Sequence, residues 1–332
     1  MKHKCFLITL VLLVVCLTPA WAGNVSKIGT AGAQELIIPV GARGSALGGA
    51  VVANTFGVEA IYWNPAGLAS MEGTQAMFSN QPYMADIDIN YGAIATSIED
   101  FGSIGFSAKV VDIGDIEETT TDQPEGTGSI FGPTLAVVGV TYARRMTADV
   151  QLGITGNFIH ESIFDVTATG VSFDLGVTYT PRWRGVSLGI VMKNYGPDMR
   201  FSGDGFQTSA ELLGKRRVSF NGAPFELPAS INIGMAYNFL SQDLSSATLT
   251  SNFQSNNHRQ DMWQGGVEYS YDERYFLRGG YNYADQTEWI YGASFGGGLV
   301  LNIGETNLIF EYAWTETDTF DDNQYFTFKA TF

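Results

Sequence analysis

Between residues 171 and 179 every second position is large and apolar, Val171, Phe173, Leu175, Val177 and Tyr179, while Ser172, Asp174, Gly176 and Thr178 fill the gaps. Side chains of an extended strand alternate between two faces, so this spacing makes one face apolar and the other polar. The pattern returns at Ile104, Phe106, Ala108 and Val110, at Val150, Leu152 and Ile154, at Val186, Leu188, Ile190 and Met192, at Ile231, Ile233, Met235 and Tyr237, and at Leu308, Phe310 and Tyr312. A soluble sandwich shares the alternation. Here, however, the strands run to about ten residues, the length that crosses a bilayer at a tilt. Tyrosines and tryptophans gather at their ends, at Tyr142, Tyr179, Trp183, Tyr237, Trp263, Tyr271, Tyr275, Trp289, Tyr291 and Trp314, where an aromatic girdle meets the headgroups. The chain is 45% hydrophobic and only 16% charged, and past its N-terminus it has no apolar run long enough for a helical span. The sequence therefore predicts an all-β transmembrane antiparallel β-barrel.

About fourteen strands are expected between residues 74 and 332. Connections after even-numbered strands are short (99–101, 144–148, 181–184, 272–274, 305), and those after odd-numbered strands are usually longer, including a loop over 161–169. Short turns on one side and loops on the other are the layout of outer-membrane barrels. An even count returns the C-terminus to the side of the N-terminus. The last strand alternates Phe326, Phe328, Ala330 and Phe332, and it looks like the C-terminal strand by which such barrels are recognised for assembly.

Residues 1–22 read as an export signal. Lys2 and Lys4 precede an apolar run from Cys5 to Leu17, and Ala20-Trp21-Ala22 before Gly23 has the small-x-small form of a cleavage site. Cys5 and Cys16 leave with it, so the mature chain has no disulfide, thiolate metal site or cysteine nucleophile. Loss of Lys2 and Lys4 takes the net charge from −16 to −18, which argues against a nucleic-acid partner.

Residues 23–72 lack the alternation. A stretch of Gly, Ala, Ser and Val from Gly41 onward can lie close against other backbone, and Val58, Ala60 and Ile61 follow at helical spacing. Asn64, preceding a proline, is pushed out of the α region, and it suits the N-cap of a new turn with Pro65 at its first position. A phosphate loop is not expected, since no strand and crossover helix frame the glycines. The ordered set of Gly41, Ala42 and Arg43, then Gly48, Gly49 and Ala50, then Ala60-Ile61-Tyr62-Trp63-Asn64-Pro65-Ala66-Gly67-Leu68-Ala69 resembles the N-terminal part of the PorV/PorQ family of outer-membrane barrels, related to the FadL long-chain fatty acid transporters. The resemblance implies a hatch over residues 23–72 inside a barrel formed by 73–332, with Arg43, Gly48, Gly49, Asn64, Pro65, Ala66 and Gly67 as its motif. It also implies an outer-membrane location in a Gram-negative-type bacterium.

Two functions follow from that resemblance. PorV-like proteins serve type IX secretion by receiving secreted proteins through their C-terminal sorting domains, alongside other secretion components; this reading is placed first. The FadL branch passes hydrophobic small molecules through a hatch and a lateral opening, and stands as the alternative. The expected partners are accordingly outer-membrane lipid and lipopolysaccharide, with secreted proteins or small hydrophobic molecules as cargo.

Two loops stand out. The first, 112–128, holds Asp115, Glu117, Glu118, Asp122 and Glu125 and reads as a solvated outer loop, its ligand spacing too irregular for a cation site. The second, 197–227, carries Leu212, Leu213, Lys215, Arg216, Arg217, Phe220 and Phe225; it is the candidate partner-binding loop, although contact with lipopolysaccharide or folding into the mouth suits it too. Catalytic residues are not expected. His160 beside Glu161 and Ser162 has no nucleophile elbow around it, and no cofactor is implied. Lys109, Asp174, Lys193, Glu268, Arg278 and Glu311 alternate with outward apolar neighbours, so they should face the lumen as paired charges of mixed sign.

Overall fold

A computed structural model describes residues 27–84, 87–181, 185–210, 216–219, 222–284, 290–304, 306–318 and 320–332, with only the backbone described over 207–210 and 216–219. It is a closed antiparallel barrel of fourteen strands. These are β1 (Thr74–Pro82), β2 (Asp88–Ile98), β3 (Gly102–Asp112), β4 (Thr134–Arg145), β5 (Val150–Ile163), β6 (Val166–Tyr179), β7 (Val186–Tyr195), β8 (Ser230–Ser241), β9 (Ser245–Asn256), β10 (Met262–Tyr271), β11 (Tyr275–Ala284), β12 (Tyr291–Ile303), β13 (Thr306–Thr317) and β14 (Asn323–Thr331). Each pairs with its sequence neighbours, and β14 returns to β1 with Phe328 opposite Phe78. Closure leaves no sheet edge, the condition for strands to cross hydrocarbon.

The alternation decides which side chains face out. Phe106, Val140, Phe158, Phe173, Ile190, Ile233 and Phe295 are about half exposed on the outer surface, while Thr141, Thr155, Ser172, Asn232 and Ser294 of the same strands are buried inside. In water so broad an apolar belt would drive aggregation, whereas in a bilayer it is the solvated face. Among the described residues no helix is long and apolar enough to cross a membrane. Tyr179, Tyr237, Trp263, Tyr271 and Tyr275 are exposed near strand ends, as a girdle requires. Tyr291 departs from that expectation: its hydroxyl bonds that of Tyr83 at 2.9 Å, and both rings line the lumen mouth. Trp183 and Trp289 lie outside the described residues.

The expected loop at 161–169 is instead a continuous hairpin. β5 and β6 pair up to Ile163 and Val166, turning over Phe164, whose φ is 51°. Apolar alternation fades there because the rim stands in water, where an outward Thr167 or Thr169 costs nothing, yet the backbone ladder continues.

The N-terminal segment runs down the lumen. Its first described residues lie at the loop end, where Lys27 pairs with Glu226 at 2.7 Å and Gly29 N donates to His258 O at 3.3 Å. Helix α1 (Ala42–Ala46) and helix α2 (Ala60–Trp63) follow, and the segment leaves at the short-turn end, where Thr74 N meets Phe332 O at 3.2 Å. The C-terminus thus shares its side with the start of β1, whereas the beginning of the segment lies at the opposite end. The even strand count constrains only the barrel, so the threading of the segment was beyond its reach.

Wall glycines make room for the segment. A Cβ on Gly280 would fall 2.3 Å from Gly48 N, and one on Gly153 2.2 Å from Pro65 C. Beneath α2, Val58, Ile61 and Leu68 pack with Tyr91, Ala93, Ala95 and Ala143 of the wall. This apolar contact seals the short-turn end on the β2–β4 side.

Candidate functional site: a hatch, its charged anchor and a lumen cavity

Asn64 shows how the segment is fixed locally. Its backbone is extended at φ −156° and ψ 104°, and its side chain accepts from Ala66 N, capping a helix over Pro65–Ser70 that is 3-10 rather than α. The same side chain donates to Val52 O at 2.7 Å and to Thr178 Oγ1 at 3.3 Å, tying one loop of the segment to another and to β6. Gly67 and Ala66 lie in that turn, and Gly48 and Gly49 adopt φ of 63° and 80° against Tyr281 and Gln264. We expect Asn64→Ala to lower stability by about 1–2 kcal/mol through the lost cap. Chemical denaturation of the refolded barrel would show it.

Six buried charges close into a ring across the lumen. Arg43 pairs with Glu59 at 2.7 Å and Glu268 at 2.9 Å; Arg278 pairs with Glu268 at 2.7 Å and Glu311 at 3.0 Å; Lys329 pairs with Glu311 at 2.8 Å and Glu59 at 2.9 Å. Arg43 and Glu59 belong to the segment, the other four to β10, β11, β13 and β14. Three cations balance three carboxylates, so the ring is neutral while each member is costly to bury alone. Glu59 and Lys329 were not singled out from the sequence. Lys329 does alternate with outward Phe328, which is the signal that could have found it.

Lys109, Asp174 and Lys193 form a second group. Lys109 Nζ donates to the backbone oxygens of Glu35 and Ile38, and Lys193 Nζ stands 3.6 Å above the Tyr62 ring centroid. Asp174 Oδ1 accepts from Asn194 N at 2.6 Å, where the β6–β7 register breaks between Phe173 and Leu175. Beyond this bulge the loop after β7 covers the outer half of β6. Phe201–Gly203 pairs with 166–168, and Met199, Leu227 and Phe225 pack against Leu36, Val137 and Ile159 inside the mouth. Phe225 is therefore inward. Leu212, Leu213, Lys215 and Phe220 lie outside the described residues, and Arg216 and Arg217 are described only as backbone paired with 209–210.

Glu35 is 1% exposed. Burial, and then the Glu161 carboxylate beside it, push its carboxyl up from 4.5 to about 8. A carboxyl held in its protonated form favours the docked hatch below pH 4.5 and loses that contribution as pH rises towards 8. Hatch release, read as proteolysis of the segment, should increase between pH 5 and 9, and Glu35→Gln should flatten the profile.

Between the hatch and the β7–β14 wall lies a cavity of about 290 Å³, at the small end of ligand sites. Its hatch side is apolar and aromatic, with Leu36, Ile37, Ile38, Pro39, Tyr62 and Trp63; its wall side carries Asn232, Asn252, Gln254, Gln264 and Asn282. Tyr62 and Trp63 are held by hydrogen bonds to Ile38 O at 2.9 Å and Val40 O at 3.1 Å. Among the described residues no cluster of metal-ligating side chains occurs, and His160 lies on the outward face beside Phe158 while Glu161 turns inward. In the first outer loop, Ile116–Glu117 pairs with Ile130–Phe131.

No family model matches the chain, and no curated protein matches it significantly. Solved structures do. The CymD monoaromatic hydrocarbon channel is similar with TM-score 0.58 and 14% identity, covering 88% of this chain and 97% of that one. A Pseudomonas aeruginosa FadL homologue gives 0.53 and 14%, covering 89% and 98%. The Pseudomonas putida toluene transporter TodX gives 0.54 and 14%, covering 87% and 96%. At such identity the likeness is one of fold: this chain has the fold of the FadL-type outer-membrane barrels.

Proposed function

We propose that the chain, exported and cleaved near Gly23, is an outer-membrane channel that admits small apolar and amphipathic molecules through a lumen gated by its hatch. The observation that carries this is the cavity, apolar on the hatch side and opening towards the loop end, with the charged ring and the apolar seal beneath it. A solute entering from the loop end meets Tyr62 and Trp63 and goes further only when the segment shifts. The hydrocarbon channels among the structural neighbours support this reading over receipt of secreted proteins. So does the inward position of Phe225, which the secretion reading would have displayed for cargo.

The test is uptake of labelled naphthalene by cells expressing the protein, against vector alone. Faster uptake is expected, with the protein in the outer-membrane fraction and shifting in gel mobility on boiling. Uptake no better than vector would defeat the proposal.

A further inference from the structure

Phe56 is 55% exposed, although Thr55 before it and Gly57, Val58 and Glu59 after it are buried. It does not line the cavity. Its backbone is extended, at φ −147° and ψ 161°, and the turn that follows is pinned to the foot of β1, where Val58 N donates to Gln75 Oε1 at 3.0 Å. The ring is therefore presented on the short-turn side of the hatch, inside the barrel, where its open side meets water. An apolar ring left in water is unfavourable, so its other side has to supply the reason for its place.

That other side lies on Arg43. The guanidinium carbon is 4.8 Å from the Phe56 ring centroid, within the range of a cation–π contact. The edge of the guanidinium is already taken, Nε and Nη2 by the Glu268 carboxylate and Nη1 by Glu59 and by Asn54 O. Its flat faces are left, and an aromatic ring is the partner that suits a face. We infer that Phe56 is a positioning residue of the gate: stacked on Arg43, it keeps water and salt from the ion pairs between hatch and wall, and so sets how tightly the ring of charges holds the segment. Pairs in contact with solvent weaken as the Debye length falls from about 10 Å at 0.1 M salt to about 3 Å at 1 M, whereas shielded pairs are screened much less. This inference rests on the reading of a hatch-gated channel and adds the residue that guards its anchor from the short-turn side.

The test is the rate at which trypsin cuts the refolded barrel after Arg43, a cut that needs the segment to leave its seat, at about 0.1 and 1 M NaCl. Each rate is divided by that of a free peptide spanning Arg43, which removes the salt dependence of trypsin itself. No transported solute is involved, so this result and that of the uptake assay can fail separately. Wild type should be cut slowly, at rates within about twofold of each other at the two salt levels. Phe56→Ala should be cut about tenfold faster at low salt, the worth of one partly desolvated cation–π contact, and faster again at high salt. Phe56→Leu keeps the cover but not the ring, so it should be cut faster than wild type without gaining salt dependence, and Phe56→Trp should behave as wild type. A Phe56→Ala rate equal to that of wild type would overturn the inference. So would a faster rate with no salt dependence, since Phe56 would then only fill space.

Discussion

Arg43→Ala should open the lumen. In the structure Arg43 joins Glu59 of the hatch to Glu268 of the wall, and without it two buried carboxylates face each other across a gap with only Lys329 and Arg278 left to neutralise three negative charges. Removing one partner from a buried ion pair costs about 3–5 kcal/mol. If most of that falls on the docked hatch, the displaced form gains on the order of a hundredfold or more in population. The readout is entry of a large polar reporter, such as a chromogenic β-lactam hydrolysed in the periplasm, with the boiled and unboiled gel mobilities unchanged. Arg43→Ala combined with Glu59→Ala restores charge balance and should leak less than Arg43→Ala alone. Equal leakage in the two would mean that contacts other than charge hold the segment.

The second large effect concerns shape rather than charge. At Gly280 and Gly153 the wall touches hatch backbone, with a notional Cβ 2.3 Å from Gly48 N and 2.2 Å from Pro65 C. Backbone atoms cannot step aside as a flexible side chain can. Gly280→Val with Gly153→Val should therefore expel the segment, since overpacking costs about 1–3 kcal/mol per site even where neighbours give way. Their outward neighbours Tyr281 and Leu152 keep the lipid face intact, so the barrel should still form. Trypsin should then cut the segment after Arg43, a bond buried in the wild type, and release the part N-terminal to it while residues 44–73 stay joined to β1. A protected Arg43 bond would mean that Gly280 and Gly153 do not set the fit between wall and segment.

The barrel was legible because bilayer and lumen impose opposite demands on successive residues, as at Phe173 and Asp174, and because short turns such as 272–274 leave little freedom. The Asn64-Pro65 bend was legible for a local reason: one side chain caps and one ring fixes φ. The threading of the hatch was not, because it depends on contacts between residues far apart in sequence, Arg43 with Glu268 or Lys27 with Glu226. For the same reason the ring was seen only in part. Glu268, Arg278 and Glu311 show their lumen face through alternation, but Glu59 lies in a segment with no period to read. The hairpin at 164–165 was missed where outward residues turn polar above the membrane. The amides of the cavity wall were missed because Asn252, Gln264 and Asn282 fall into register only when three strands pair. The order of the two functional readings is reversed for a related cause: the residues on which the resemblance to PorV/PorQ proteins rests are those that shape a hatch, and a hatch serves either role.

The most direct test of a hatch-gated channel is to lock the hatch. A Cβ on Gly234 of β8 would stand 3.1 Å from that of Val52, near the roughly 3.8 Å of a disulfide, and the chain's own cysteines, Cys5 and Cys16, both lie in the N-terminal stretch that reads as an export signal. With Val52→Cys and Gly234→Cys, naphthalene uptake should fall to the vector level under oxidising conditions and return to the wild-type rate on reduction. Uptake that is unaffected by a bond shown to have formed would contradict passage past a moving hatch.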